Sequence, residues 1–194
     1  MPVTKRESIL KAAAELFAEY SYDTVGIRDI AREAGVNSAM ISYYFGGKSG
    51  LHKEIFSHFV NVILTVSHDQ LGKASDSYDL CNYMSRAFLD AARSNREVFL
   101  VGLRSLNRDL EWLKEEQERL RRENDRHFNE FLVRTGGREK LPQTQGLIFA
   151  AVMGMLFSDY LLGGGSNIND DEALEKYAET ITHILSHGLP ALVE

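Results

Sequence analysis

Proline spacing and the lack of any two-residue alternation decide the fold class of this chain. Its 194 residues hold three prolines, Pro2, Pro142 and Pro190, and none lies inside an apolar-periodic run. A proline inside such a run would delete a backbone donor and clash with the preceding turn. No stretch alternates apolar and polar residues as a half-buried strand requires, so the chain reads as all-α, with about nine helices. Thr4 and Glu7 make a capping box, in which each side chain satisfies an orphan backbone donor, and Ile9, Ala13, Leu16, Phe17 and Tyr20 follow at helical spacing. This first helix is expected to end near Tyr22-Asp23. Short helices are expected from about Ile27 to Ala34, stopped by Gly35, and from Ser38 to Phe45, stopped by Gly46-Gly47. A longer one runs from about Lys48 into the sixties, with Leu51, Ile55, Phe59, Val62 and Val66 on one side, and "LGKASDS" breaks its pattern. Further helices are expected at about 78–94, 97–106, 109–135, 143–162 and 171–187, separated by Gly, Asn, Ser or Pro.

The chain is long enough, and at 44% hydrophobic content apolar enough, to bury a proper core. A lone cysteine, Cys81, and no charged-then-apolar leader point to a reducing compartment, so a cytoplasmic location is expected. The longest apolar run, Gly146 to Leu162, contains Ser158 and Asp159. It falls short of the roughly 20 apolar residues of a membrane-spanning helix, and no membrane partner is expected. The net charge of −6 is unevenly placed: the first 53 residues carry seven Lys and Arg against six Asp and Glu, so the whole acid excess lies beyond Lys53. A near-neutral head on an acidic body suits a protein that touches DNA at one end.

"GVNSAMISYYFGGKSGL", residues 35–51, admits two readings. A phosphate loop needs a glycine four residues before Gly-Lys-Ser and a strand in front. Ser42 stands at the glycine position and a helix precedes it. A helix-turn-helix fits instead: Ala34-Gly35-Val36-Asn37 is the turn, and Asn37 caps the second helix. Steps of about 100° per residue put Ile41, Tyr44 and Phe45 inward, against Ile30, Ala31 and Val36. Ala39, Ser42 and Tyr43 then face outward, with Ser38 and Met40 at the flanks.

These residues carry a family resemblance. "TVGIRDIAREAGVNSAMISYYFGGKSGLHKEIF" with the capped first helix resembles the DNA-binding head of the tetracycline-repressor (TetR) family of bacterial transcriptional regulators, over about residues 4–60. The resemblance implies a three-helix DNA-binding domain at 1–50 and a helical ligand-binding and dimerisation domain at 51–194. It implies DNA contacts from Arg28 on the first helix of the motif, from Ser38, Ala39, Met40, Ser42 and Tyr43 on the recognition helix, and from Tyr44 and Lys48 on the phosphates. Gly26 and Asn37 complete the set. Gly26 stands where the family usually has Thr or Ser, which keeps a backbone N–H for phosphate but removes a hydroxyl, and Ser42 stands where it usually has Tyr.

In the body, Gly146, Ala150 and Gly154 form a small-residue stripe on a helix apolar nearly all round. With Phe157 and with Tyr177, Ile181 and Leu185 of the last helix, they could build a two-fold homodimer interface. Tyr83, Phe88, Phe99, Leu103, Trp112, Phe128, Phe149 and Met153 are candidates to line a pocket for a small apolar effector by the same resemblance, although their helical spacing also suits an ordinary core, the better reading for any one of them. His183 and His187 lie one turn apart without a third ligand, and no Ser/His/Asp or Cys/His set is visible, so neither metal, cofactor nor enzyme is expected. The functional expectation is a ligand-responsive regulator, a repressor at a near-palindromic operator of double-stranded DNA. The alternative is a helical ligand carrier or interaction module that has lost specific DNA reading.

Overall fold

Thr4 opens helix α1 (Lys5–Glu19) as its sequence dictates: the Thr4 Oγ1 accepts from the Glu7 N–H at 3.2 Å, and the Glu7 carboxylate accepts from the Thr4 N–H at 2.8 Å. That backbone bond holds the Glu7 carboxyl below the usual carboxylate range. The computed structural model describes residues 4–106, 108–136 and 170–187, together with positions 154, 155, 158 and 168. All eight helices among the described residues pack without strands: α1, α2 (Ile27–Glu33), α3 (Ser38–Phe45), α4 (Lys48–Lys73), α5 (Ser77–Ser94), α6 (Arg96–Ser105), α7 (Glu111–Arg134) and α8 (Asp171–His187). The helix expected at 143–162 lies largely outside the described residues.

The chain divides into two compact units, Met1–Asn61 with Arg96–Glu116, and Val62–Asn95 with Gln117–Glu194. In the first, Ile9, Ala13 and Phe17 of α1 are buried together with Ile30 of α2, Ile41 of α3 and Leu51, Ile55, Phe56 and Phe59 of α4. Helix α6 belongs to this unit and packs on α1. Its Gly102 lies flat against an aromatic ring, where a Cβ would come within 2.3 Å of Phe59 Cγ. In the second unit Leu71, Ala74, Leu80, Phe131 and Leu132 form a buried cluster, with Tyr83, Met84 and Phe128 packed on it.

Two helix ends differ from the sequence expectation, each for a tertiary reason. Helix α1 stops at Glu19 with Tyr20 as its cap, short of Tyr22. The Tyr22 ring is held elsewhere, 5.3 Å from the Phe17 ring and 4.6 Å from His52 between centroids. Helix α4 runs on through Leu71-Gly72-Lys73 instead of breaking there. Its last carbonyls have no helical partner, and the Arg134 guanidinium supplies one, donating to Gly72 O at 2.7 Å, to Ala74 O at 3.0 Å and to Leu71 O.

Candidate nucleic-acid interface

Helices α2 and α3 are joined by a turn that local chemistry fixes. Gly35 adopts a φ of 64°, a left-handed conformation suited to glycine. The Val36 N–H donates to Ala31 O at 2.9 Å, and the Ala39 N–H to Asn37 Oδ1 at 2.8 Å, which caps α3. Beyond α3, Gly46 closes the helix in the left-handed region at a φ of 71°, its N–H on Ser42 O at 2.9 Å, and α4 begins two residues later. Arg6 of α1 braces this end: its guanidinium lies 5.0 Å from the Phe45 ring centroid and 2.7 Å from Glu54 of α4.

The turn orients α3 so that Ile41 is wholly buried while Ala39, Ser42, Tyr43 and Tyr44 are exposed and Ser38 and Met40 are half-buried. Tyr43 is 82% exposed and Tyr44 38%, with their rings edge to face at 5.0 Å. Tyr44 therefore stands out beside Tyr43 rather than inward with Phe45, as stepping along the helix had suggested. Its place beside Tyr43 gives the exposed face two adjoining hydroxyl-bearing rings.

Arg28, in the first turn of α2, is exposed and makes no ion pair among the described residues. Its neighbours are paired: Asp29 receives Arg32 at 2.8 Å. Asp29 also accepts the Gly26 N–H at 3.1 Å, which corrects the expectation that this N–H is kept for a phosphate. A one-sided capping interaction at the start of α2 occupies it. Lys48 reaches back over the Tyr22 ring, with Nζ 4.2 Å from the centroid, so its ammonium sits at the edge of the same head.

The body candidates fall into both units. Phe99, Leu103 and Trp112 belong to the first, where Phe99 and Leu103 are buried and the Phe99 ring meets Phe59 at 5.3 Å. Tyr83, Phe88 and Phe128 belong to the second, Phe88 buried and the other two half-buried. Phe149 and Met153 lie outside the described residues. Of the expected dimer contacts, Gly146, Ala150 and Phe157 also lie outside them. Ile181 is 2% exposed, which assigns it to the core of its own unit, whereas Tyr177 and Leu185 are half-buried and Gly154 is exposed. Among the described residues, no three His, Cys, Asp or Glu side chains gather where they could hold a metal ion, and no helix is long and apolar enough to cross a membrane.

The sequence reading singled out no residue of a second polar cluster in the first unit. His52 of α4, 2% exposed, has Nε2 2.7 Å from Ser105 Oγ of α6, a pairing across 53 positions that leaves no local signature.

Residues 9–55 match the family profile described as "Bacterial regulatory proteins, tetR family". Over 59 residues, 30% of this chain and 28% of the relative, the chain is 41% identical to the "Probable HTH-type transcriptional regulator YttP" of Bacillus subtilis. Over 98 residues it is 32% identical to the "HTH-type transcriptional repressor Rv3405c" of Mycobacterium tuberculosis, covering 46% of this chain and 51% of that one. These matches thus span about a quarter to a half of the curated relatives. Solved structures extend the likeness of fold to nearly the whole chain. The fatty acid degradation regulator FadR of Bacillus halodurans superposes with a TM-score of 0.76 at 17% identity, covering 97% of this chain and 98% of its own. FadR of Bacillus subtilis, solved in complex with stearoyl-CoA, does so with a TM-score of 0.73 at 16% identity, covering 94% and 98%.

Proposed function

With a head that belongs to the tetR family of bacterial regulatory proteins, the chain is one that we propose to be a DNA-binding transcriptional regulator, a repressor released from a near-palindromic operator by a small, largely apolar effector. The observation that carries the reading is the two-sided character of α3. It buries Ile41 completely and turns Ala39, Ser42, Tyr43 and Tyr44 outward behind a glycine-containing turn, the arrangement by which a recognition helix enters the major groove. Arg28 on α2 and Lys48 at the start of α4 supply cations, and Tyr43 and Tyr44 add hydroxyl donors, so phosphate contacts position the helix while its outward side chains read base edges.

The chain acts as a homodimer, since a two-fold operator needs two heads about 34 to 36 Å apart. Half-buried Leu185 and exposed Gly154 are described residues of that contact, and half-buried Tyr177 reaches it with its hydroxyl held on Met155 O at 3.2 Å. Helices α4 and α7 each run from one unit into the other. An effector held by the second unit acts on the head through them, and the size of its effect is limited by its differential affinity for the two states. The stearoyl-CoA bound by the Bacillus subtilis neighbour supports an effector with a long apolar part.

Selection of bound fragments from random double-stranded DNA tests the reading. An enriched inverted repeat with half-sites one helical turn or a multiple apart is the expected result. Enrichment of nothing, or of a single asymmetric site, overturns it. Titration of acyl-CoA thioesters with and without the selected operator then tests the effector, because coupling requires ligand and DNA to weaken one another by the same factor.

A further inference from the structure

The recognition segment lacks the side chains that read guanine, adenine and cytosine by bidentate hydrogen bonds. From Ala34 to Gly47 the chain contains no Lys, Arg, Asp, Glu, Gln or His, and its single amide is Asn37. Arg and Lys pair with guanine O6 and N7, Asn and Gln with adenine N6 and N7, and Asp and Glu accept from cytosine N4. Asn37 is engaged as the cap of α3, its Oδ1 accepting the Ala39 N–H at 2.8 Å, so an adenine pair, which needs both ends of the amide, would have to share that oxygen with the cap. The exposed side of α3 offers the Ala39 methyl, the Ser42 hydroxyl and the Tyr43 ring, 82% exposed, with the Met40 thioether half-buried beside them. Apolar groups find one distinctive partner in the major groove, the 5-methyl group of thymine.

We propose that this head selects its operator through thymine 5-methyl groups, contacted by Ala39 and Tyr43, with Ser42 supplying a hydroxyl able to serve any base. The inference rests on α3 being the groove-entering helix and adds to it the chemistry of what is read. The half-site is then rich in thymine on the face α3 approaches, and its discrimination comes from methyl burial rather than from charge. Arg28, exposed in the first turn of α2, has the guanidinium chemistry that pairs with guanine, and the experiment separates any such contribution from that of α3.

The selected operator is synthesised in three forms: unmodified, with every thymine of the half-sites replaced by uracil, and with every guanine replaced by 7-deazaguanine. The first change removes the methyl groups and the second the N7 acceptor, and both leave base pairing intact. Affinities are measured at one salt concentration. The uracil copy is expected to bind about fourfold more weakly for each methyl contacted, the worth of one buried CH₂ group, and the 7-deazaguanine copy to bind unchanged. Tyr43→Ala should bring the thymine-to-uracil ratio toward one, and Tyr43→Phe should preserve it. Because Tyr43 is so exposed, neither change threatens the fold. A uracil copy bound as tightly as the unmodified operator overturns the proposal, as does a 7-deazaguanine copy that loses more affinity than the uracil copy. Failure to enrich any operator would instead remove the DNA-reading function on which the proposal stands, so the two failures are distinguishable.

Discussion

His52 should make the stability of the head fall steeply in acid. It is 2% exposed, and its Nε2 lies 2.7 Å from Ser105 Oγ. The single Ser105 hydroxyl proton is directed to Val101 O at 2.6 Å, an oxygen that can only accept, so toward the imidazole Ser105 must accept and Nε2 must carry the hydrogen. The ring is therefore the neutral tautomer with Nδ1 bare, and Nδ1 is buried without a hydrogen-bond partner. Desolvation, assisted by the charges of Arg108 and Lys48 and opposed by Asp23, brings the His52 pKa down from 6.5 to about 4. A base with a depressed folded pKa contributes its full stability above the unfolded value and loses it as the pH falls from about 6.5 toward 4. That shift corresponds to about 3 kcal/mol, a large share of the stability of a domain this small. Carboxylates titrate in the same range, so the observable is a difference: urea unfolding of the wild type and of His52→Gln, which keeps a donor toward Ser105, at pH 7, 6, 5 and 4. The wild type should lose about 3 kcal/mol more than the variant across that interval. Parallel curves for the two proteins, or an NMR titration of the His52 ring with its midpoint near 6.5, would refute the burial argument.

Arg28→Ala and Lys48→Ala should each weaken binding to all DNA sequences alike and flatten the dependence of log K on log salt by about one unit, read by fluorescence anisotropy. An unchanged slope for either removes that residue from the phosphate contacts. Gly50→Ala and Gly72→Ala, both on α4, should act in opposite directions. A Cβ at Gly50 would lie 1.7 Å from Phe45 O, whereas one at Gly72 would meet nothing within 4 Å. The first should therefore cost about 1 to 3 kcal/mol or more through a backbone clash, and the second gain up to about 1 kcal/mol, both seen as shifts in the urea midpoint.

What the sequence disclosed about this molecule follows how far apart the interacting groups lie along the chain. The α2–α3 motif was legible because its determinants are local: Asn37 caps two residues ahead, Gly35 and Gly46 sit where the backbone turns left-handed, and Ile41 falls one helical repeat from the capped end. The capping box of α1 was readable for the same reason. Where a partner lay far off, the reading failed. The end of α4 is set by Arg134, 62 positions from Gly72, and nothing in "LGKASDS" announces a guanidinium that will hold its carbonyls. His52 looked like any histidine between a leucine and a lysine, since the serine that fixes its tautomer lies on α6. Phe99 and Leu103 repeat at a spacing that a pocket and a core share, and only the Phe59 ring packed against Phe99 and the burial of both place them in the core. Ile181 shows the same ambiguity at an interface, because an apolar helical stripe does not say whether it faces its own chain or another. In this chain α8 packs on α5, bound by the Arg86–Glu175 pair and by Arg93 to Asp171 at 2.8 Å, so the buried side of α8 is already committed within one chain. A dimer contact through α8 would then draw on Tyr177 and Leu185, one turn before and one turn after Ile181 on the same side of the helix and only half-buried. Under the proposed dimer, substitution at Leu185 should raise the monomer fraction in equilibrium sedimentation with the fold intact, whereas truncation of buried Ile181 should lower stability instead.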